Sequence, residues 1–154
     1  MIYVECYPDK ALIMSLGLSK RKIEHEFGKS RVCNKLSKAT KSLGLVDEDP
    51  ETTQPSYMLN LHKHIDVPSY SVFCDKVRDN QVIVLKPKLE GFIIKVTKEA
   101  GIKLSDYNLP DETKELHDAI SRRMENKNYL RLLAELNDKS QTVIRIRKII
   151  IKSI

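Results

Sequence analysis

Residues 1–47 alternate short apolar runs with helical segments, and this order constrains the fold more than any other feature. Short strands are expected at Ile2–Cys6, at Lys22–Glu26 and at Leu43–Val46. In the second of these only Ile23 is expected to face inward. Gly17 and Gly28 stop or turn the chain between them. The order strand, helix, strand, helix, strand predicts parallel strands joined by crossover helices.

The next part of the chain predicts one more helix and a pair of antiparallel strands. Pro55-Ser56 begins a segment with helical spacing, and its inward positions are Met58, Leu61, His62 and Ile65. Tyr70–Asp75 and Val82–Leu85 follow as two apolar strands. Their connection is too short for a parallel crossover, so we expect a hairpin and a mixed sheet of about five strands.

After Pro87 the apolar residues recur at helical spacing to the end of the chain. The expected inward positions include Leu89, Phe92, Ile93, Val96, Leu116, Ala119, Ile120, Met124, Tyr129, Leu132, Leu133 and Leu136. The final segment is expected to be a helix with Val143, Ile146, Ile150 and Ile154 on one side, although residues 144–147 also alternate like a strand. We therefore expect an α/β domain over residues 1–100 and a helical extension over 101–154 that packs on it.

Composition limits the class of protein. The chain has 154 residues, of which 41% are hydrophobic and 31% charged, as in a globular protein with one core. Its apolar runs are too short to span a membrane, and its first residues do not resemble a signal peptide. Cys6, Cys33 and Cys74 lack zinc-site spacing. We therefore expect a cytoplasmic protein that does not bind a membrane.

The positive charge is concentrated in two segments. The net charge is +6, yet residues 28–46 and 139–154 each carry five basic residues and no acidic ones. Such segments favour a polyanionic partner, although they also suit solvated helix faces. Nucleic acid is the expected partner, and a homodimer or a partner protein remains a further expectation.

Four acidic residues stand just beyond the third apolar run. The sequence Asp47-Glu48-Asp49-Pro50-Glu51 follows Val46, and Pro50 ends the strand. Residues two apart on an extended backbone point the same way, so Asp47 and Asp49 can converge on one divalent cation. Glu5 ends the first strand and, if the strands are neighbours, meets them at one edge. The alternative is a solvated acidic turn.

The residues Val4-Glu5, Gly28 and Asp47-Glu48-Asp49, in this order, resemble the TOPRIM domain. The segment from Val84 to Glu90 also resembles the Pro-x-x-Glu stretch of small stand-alone TOPRIM proteins related to OLD-type nucleases. The resemblance covers about residues 1–95. It implies a three-layer, TOPRIM-like (Rossmann-like) fold with a mostly parallel sheet, helices on both faces and additional C-terminal helices.

The resemblance implies a Mg²⁺-dependent nuclease acting on DNA or RNA. Asp47 and Asp49 would hold Mg²⁺ or Mn²⁺, and Glu5 would act as a third ligand or as general acid/base. Lys86, at a strand end, would stabilise charge in the transition state. Phosphate contacts are expected from three basic residues of the second helix region, Lys29, Arg31 and Lys35.

Two other functions fit parts of the sequence. The first is a non-catalytic domain that binds nucleic acid or a nucleotide, and Cys6 favours it because the family usually has glycine there. The second is a phosphoacceptor domain of the receiver type, with Asp47 after the third strand and Lys86-Pro87 after the fifth. That function leaves Asp49 without a role.

Overall fold

The computed structural model describes residues 1–122 and 126–154, and it contains one six-stranded sheet. The strands are β1 (Ile2–Val4), β2 (Ile23–His25), β3 (Leu43–Asp47), β4 (His62–Asp66), β5 (Tyr70–Asp75) and β6 (Asn80–Leu85). Their order across the sheet is β2-β1-β3-β6-β5-β4. The first four in this order are parallel, and β5 and β4 are antiparallel to their neighbours.

Helices cover both faces of this sheet. In the described residues they are α1 (Tyr7–Ser15), α2 (Lys29–Leu36), α3 (Ser56–Leu59), α4 (Leu89–Glu99), α5 (Thr113–Ile120), α6 (Lys127–Lys139) and α7 (Gln141–Ser153). The larger apolar cluster joins one face of the sheet to α1 and α4–α7, and the smaller one joins the other face to α2 and α3. The expected α/β architecture with helices on both faces of a mostly parallel sheet is confirmed.

The alternation of side chains along β3 explains how one strand serves both clusters. Leu43 and Leu45 belong to the larger cluster, whereas Val46 belongs to the smaller one. Gly44 lies between them and faces α2, where a methyl group added to the glycine would meet Leu36 Cδ1 at 2.7 Å. The missing side chain therefore lets α2 pack closely on the sheet.

The expected helix over residues 55–65 is wrong in its second half. The helix ends at Leu59, and His62–Asp66 form β4, which pairs with β5 at the sheet edge. Within β4, Ile65 pairs with Val72 and is partly buried, whereas the first residues of the strand are exposed. A bulge after Lys63 and the charged side chains of β4 are typical of an edge strand. This extra strand makes the sheet six-stranded.

The remaining elements follow the expectations closely. The hairpin of β5 and β6 is confirmed, and the ambiguous final segment is the helix α7, with Val143, Ile146 and Ile150 buried. Ile154, expected on the same face, is 45% exposed. Met124 lies outside the described residues.

Residues 101–154 pack on the α/β part. The Tyr129 hydroxyl donates to the Pro8 carbonyl at 3.1 Å, and the Asn137 side chain donates to the Ser15 carbonyl at 2.6 Å. At the far end of α7, Ser153 donates to Gln81 on β6 at 2.8 Å. In the described parts of the chain, no helix combines the length and apolar character needed to cross a membrane.

Candidate functional site

The carboxyl ends of β1 and β3 bring Glu5 and Asp47 together. The two strands are parallel neighbours, with Val4 opposite Leu45. Just beyond this pair, Glu5 Oε1 accepts a hydrogen bond of 2.7 Å from the Asp47 backbone N–H. Burial raises the pKa of Glu5, while the Asp47 N–H and the Lys29 ammonium oppose this shift. Glu5 therefore has a higher proton affinity than an exposed glutamate.

Asp47 lies among other acids. Its Oδ1 accepts a 2.8 Å hydrogen bond from the Leu89 N–H at the start of α4. Burial is the main cause that raises the pKa of Asp47, to about 8, and four carboxylates act in the same direction: Asp9, Glu5, Glu90 and Asp49. Close carboxylates cannot all ionise unless protons or cations compensate them. The surroundings of Asp47 therefore favour its protonated form near neutral pH unless a cation compensates the charge.

Asp49 is held at the same edge by backbone contacts. Its N–H donates to the Pro87 carbonyl at 3.1 Å, and its φ of 44° turns the chain after β3. Lys88 Nζ lies 3.3 Å from Asp49 Oδ1. The left-handed turn at Asp49 departs from the extended backbone on which the convergence of Asp47 and Asp49 was expected, and an ammonium group lies beside Asp49.

Asp9 is the acid that the sequence did not single out. It is 1% exposed, and its Oδ2 accepts hydrogen bonds from the Cys6 N–H at 3.1 Å and the Cys6 thiol at 3.0 Å. Its other oxygen, Oδ1, is buried and has no hydrogen-bond partner among residues 1–122 and 126–154. Burial raises the pKa of Asp9 to about 7; the Cys6 thiol opposes this shift, and Glu5 and Glu90 add to it. Asp9 therefore retains an unused ligand atom close to Glu5 and Asp47.

Glu90 connects this edge to the C-terminal helices. It is 8% exposed, and its Oε1 lies 2.7 Å from Nδ1 of His117 on α5. A cleft of about 590 Å³ borders this pair and is also lined by Asp49, Lys88 and Lys114. Glu90 and Asp49, which follows β3, thus adjoin an open space of ligand size.

Lys29 has a structural contact where a phosphate contact was expected. Its ammonium group donates to the Glu48 carbonyl at 2.7 Å and to Gln54 Oε1 at 2.8 Å, and the residue is 9% exposed. The ammonium points inward because these oxygens lie in the loop after β3. Lys29 therefore ties α2 to the acidic loop, and the expected phosphate contact is not supported.

The other two basic residues differ from each other. Lys35 lies 3.3 Å from Glu24 and 3.4 Å from Glu26, so it joins α2 to β2. Arg31 is exposed and lines a cavity of about 370 Å³ together with Glu5, Gly28 and Asp49. Of the three residues, Arg31 has the placement that phosphate binding needs.

Lys86 is not directed at the carboxylates. Its ammonium donates to Asp66 Oδ1 at 2.5 Å and to the Val67 carbonyl at 3.0 Å. These acceptors follow β4, whereas Asp47 ends β3, on the opposite side of β6. The structure therefore does not support Lys86 as a catalytic residue, and Lys88 is the lysine beside an acid of the edge. The sequence prediction chose the correct segment, Lys86-Pro87-Lys88, but the lysine near the acids is its third residue and not its first.

Metal ligation by this edge has mixed structural support. Within residues 1–122 and 126–154, no three His, Cys, Asp or Glu side chains form a group arranged to hold a metal ion. Mg²⁺, however, commonly uses one or two carboxylates and completes its shell with water and substrate oxygens. Glu5, Asp47 and the Asp9 oxygen that has no partner among the described residues are hard oxygen donors of the kind that Mg²⁺ prefers.

Comparison of the chain with protein-family profiles, with curated proteins and with solved structures finds no match.

Proposed function

We propose that the protein is a Mg²⁺-dependent phosphodiester hydrolase acting on nucleic acid, a small nuclease of the TOPRIM type. The observation that carries this proposal is the contact between Glu5 and the Asp47 backbone at the carboxyl edge of β1 and β3. Two acids 42 positions apart in the chain meet there, and Asp49 and Asp9 lie close to them.

In the proposed reaction, the acidic side chains would have two roles, cation binding and proton transfer. Asp47 and Asp49, with Asp9 behind them, would hold the cation. Glu5 would accept the proton of the attacking water as the water oxygen bonds to phosphorus and the bond to the leaving oxygen breaks. Its raised pKa suits proton exchange near neutral pH better than that of an exposed glutamate. Bound Mg²⁺ would neutralise phosphodiester charge and lower the pKa of water.

One observation favours a second candidate, a non-catalytic domain that binds nucleic acid or a nucleotide. The ammonium group of Lys88 lies beside Asp49 and partly compensates its charge without a metal. The receiver-type alternative has less support, because Lys86 is bonded to Asp66 and β5 runs antiparallel to its neighbours in the sheet.

Cleavage assays distinguish the candidates. We expect wild type to cut single-stranded or duplex DNA or RNA with Mg²⁺ or Mn²⁺, and Glu5→Gln and Asp47→Asn each to lower the rate by about 100-fold or more. Asp138→Asn, on the exposed side of α6, is the matched control and keeps the wild-type rate. A wild type that binds oligonucleotides but never cuts them contradicts the nuclease proposal and supports the binding domain.

A cation readout that does not depend on activity completes the design. Titration of the protein with Mn²⁺, followed by electron paramagnetic resonance, should show a bound ion in wild type and a weaker one in Asp47→Asn. Equal Mn²⁺ binding by the two proteins would place the ion away from this edge.

A further inference from the structure

Three ring-bearing side chains stand next to the acidic edge, and the proposed mechanism uses none of them. Tyr7 begins α1, directly after Glu5 and Cys6, while His25 and Phe27 lie at the end of the neighbouring strand β2 and just beyond it. The ring centroids of Tyr7 and His25 are 4.2 Å apart, and those of His25 and Phe27 are 4.0 Å apart. We call this set the aromatic trio.

The trio is exposed to a degree that core packing does not explain. Phe27 is 64% exposed and Tyr7 is 39% exposed. Phe27 also has a φ of 56°, a left-handed conformation that is uncommon for a bulky residue. A strained phenylalanine whose ring is exposed to solvent is more typical of a binding site than of a residue that only stabilises the fold.

The parallel pairing of β1 and β2 places the trio beside the carboxylates. The Gly28 N–H donates to the Glu5 carbonyl at 3.2 Å, so the residue after Phe27 is bonded directly to the residue that carries the candidate catalytic acid. Phe27, Gly28, Glu5 and Asp49 line one cavity of about 370 Å³. A ligand stacked on Phe27 would therefore extend into the acidic edge.

Cationic groups lie on both sides of the trio. Arg31 lines the cavity that includes Phe27, and it is exposed. On the other side, the cleft that includes Tyr7 is lined by three basic residues, Lys10, Lys20 and Arg122. Rings that present their faces between guanidinium and ammonium groups have the chemistry that binds bases and phosphates together.

The charge state of the middle ring suits stacking. Burial lowers the pKa of His25, and Lys10 acts in the same direction. A neutral imidazole does not compete with the basic groups for phosphate. It packs between Tyr7 and Phe27, and these two rings carry the larger exposed surface.

We infer that the aromatic trio is a stacking surface for the unpaired bases of single-stranded nucleic acid, whose phosphates contact Arg31 on one side and Lys10 on the other. The inference deepens the proposed function, on which it rests for its substrate, by specifying the single strand over the duplex. Paired bases are stacked within the duplex and present no free ring face, whereas unpaired bases stack on aromatic side chains without regard to sequence.

Binding in EDTA tests the surface without any cleavage. We expect fluorescein-labelled dT20 and rU20 to bind wild type more tightly than a blunt 20-base-pair duplex, by fluorescence anisotropy. Phe27→Ala should weaken binding of the single strands by about tenfold, which corresponds to the lower part of the range for one lost base stack. Val77→Ala, at the opposite edge of the sheet and 88% exposed, is the matched control and should bind as wild type.

A second variant reports on stacking directly. The chain contains no tryptophan, so Phe27→Trp introduces a unique fluorophore. It should bind dT20 at least as tightly as wild type, with its fluorescence quenched by the bases. Val77→Trp should show no quenching. An abasic oligonucleotide of the same length should bind wild type about tenfold more weakly and should not distinguish wild type from Phe27→Ala.

The outcomes separate this inference from the nuclease proposal. Equal single-strand affinity of Phe27→Ala and wild type, or tighter binding of the duplex, would overturn the stacking surface even if Asp47→Asn abolished cleavage. Loss of binding in Phe27→Ala, with quenching in Phe27→Trp, would support the surface even if wild type cut nothing. Absence of dT20 and rU20 binding by wild type would overturn the inference.

Discussion

Asp47 and Asp75 each end a strand of the same sheet, yet their surroundings shift their acidity in opposite directions. Burial raises the pKa of Asp47, and neighbouring acids raise it further. Burial acts on Asp75 too, but hydrogen bonds from the Arg78 N–H, the Tyr57 hydroxyl and the Val77 N–H outweigh it and lower its pKa. Because β5 runs in the opposite direction to β3, the two aspartates lie at opposite ends of the strands. The edge with Asp47 is the one at the carboxyl ends of β1 and β3.

The opposite pKa shifts indicate that the surroundings of Asp75 stabilise the fold more than those of Asp47 do. Around Asp75 the buried polar groups are satisfied, as in Asn80, whose side chain bonds to the Ser42 N–H, the Leu36 and Ala39 carbonyls and the Tyr57 hydroxyl. Around Asp47, acids repel one another, and Asp9 Oδ1 has no partner in the described part of the chain. Unfavourable arrangements of this kind persist where a ligand compensates them.

The largest effect on stability is expected at the satisfied edge. Asn80→Ala should lower the free energy of unfolding by about 2–4 kcal/mol, because it leaves several buried donors and acceptors unpaired. Asn60→Ala removes one exposed hydrogen bond, to the Ser56 carbonyl, and should change stability by less than about 0.5 kcal/mol. Urea denaturation measures both. Similar losses in the two variants would remove the contrast between the edges.

A pH effect of intermediate size is expected from the acidic edge. In EDTA the folded state binds protons at Asp47 and Asp9 more tightly than the unfolded state does, because their pKa values are raised to about 8 and about 7. The free energy of unfolding should therefore fall between pH 5 and pH 8, by at least about 1 kcal/mol. Asp75, whose pKa is lowered, contributes a constant amount over this interval and loses its contribution only in more acidic solution.

Two variants identify the source of this pH dependence. Asp47→Asn should flatten the dependence of urea unfolding on pH, whereas Asp75→Asn should leave its slope between pH 5 and pH 8 unchanged. Added Mg²⁺ should stabilise wild type most at pH 8, where it compensates ionised acids. An unchanged slope in Asp47→Asn would show that the carboxylates do not repel as the structure indicates.

The smallest effect is expected from the strained aromatic. Phe27→Gly should raise the free energy of unfolding by about 0.5–1 kcal/mol, because glycine adopts a left-handed φ without steric cost. Asn108, at a φ of 52°, is the matched control, since asparagine already tolerates this conformation, and Asn108→Gly should change stability by less than about 0.5 kcal/mol. Thermal unfolding measures both, and a destabilised Phe27→Gly would show that the phenylalanine is retained for packing.

Much of the fold could be predicted from the sequence, because strand ends and turns have local signals. The alternation over residues 1–47 placed Glu5 and Asp47 at one edge, since parallel neighbours end together. The strand β4 could not be found this way, because its pairing with β5 determines its structure and its spacing imitates a helix. Local pattern describes an edge strand poorly when only one side of it is bonded.

The candidate site was harder to predict than the fold. Asp9 has the sequence signal of an acid in the first turn of a helix, and only its burial beside Glu5 and Asp47 distinguishes it. Lys29 appears in the sequence as a solvated lysine, and its bonds to Glu48 and Gln54 require the tertiary fold. Side-chain direction, which the sequence does not specify, decides these roles.

Gly44 lies in β3, away from the carboxylates, and its contact with α2 influences the acidic edge. Because Leu36 Cδ1 fills the space where a side chain would stand, even alanine at this position would force the Leu36 side chain on α2 to shift. That helix carries Lys29, which bonds to the acidic loop, and Arg31, which lines the cavity. A substitution at Gly44, within the sheet, can thus disturb the candidate site through the packing of α2.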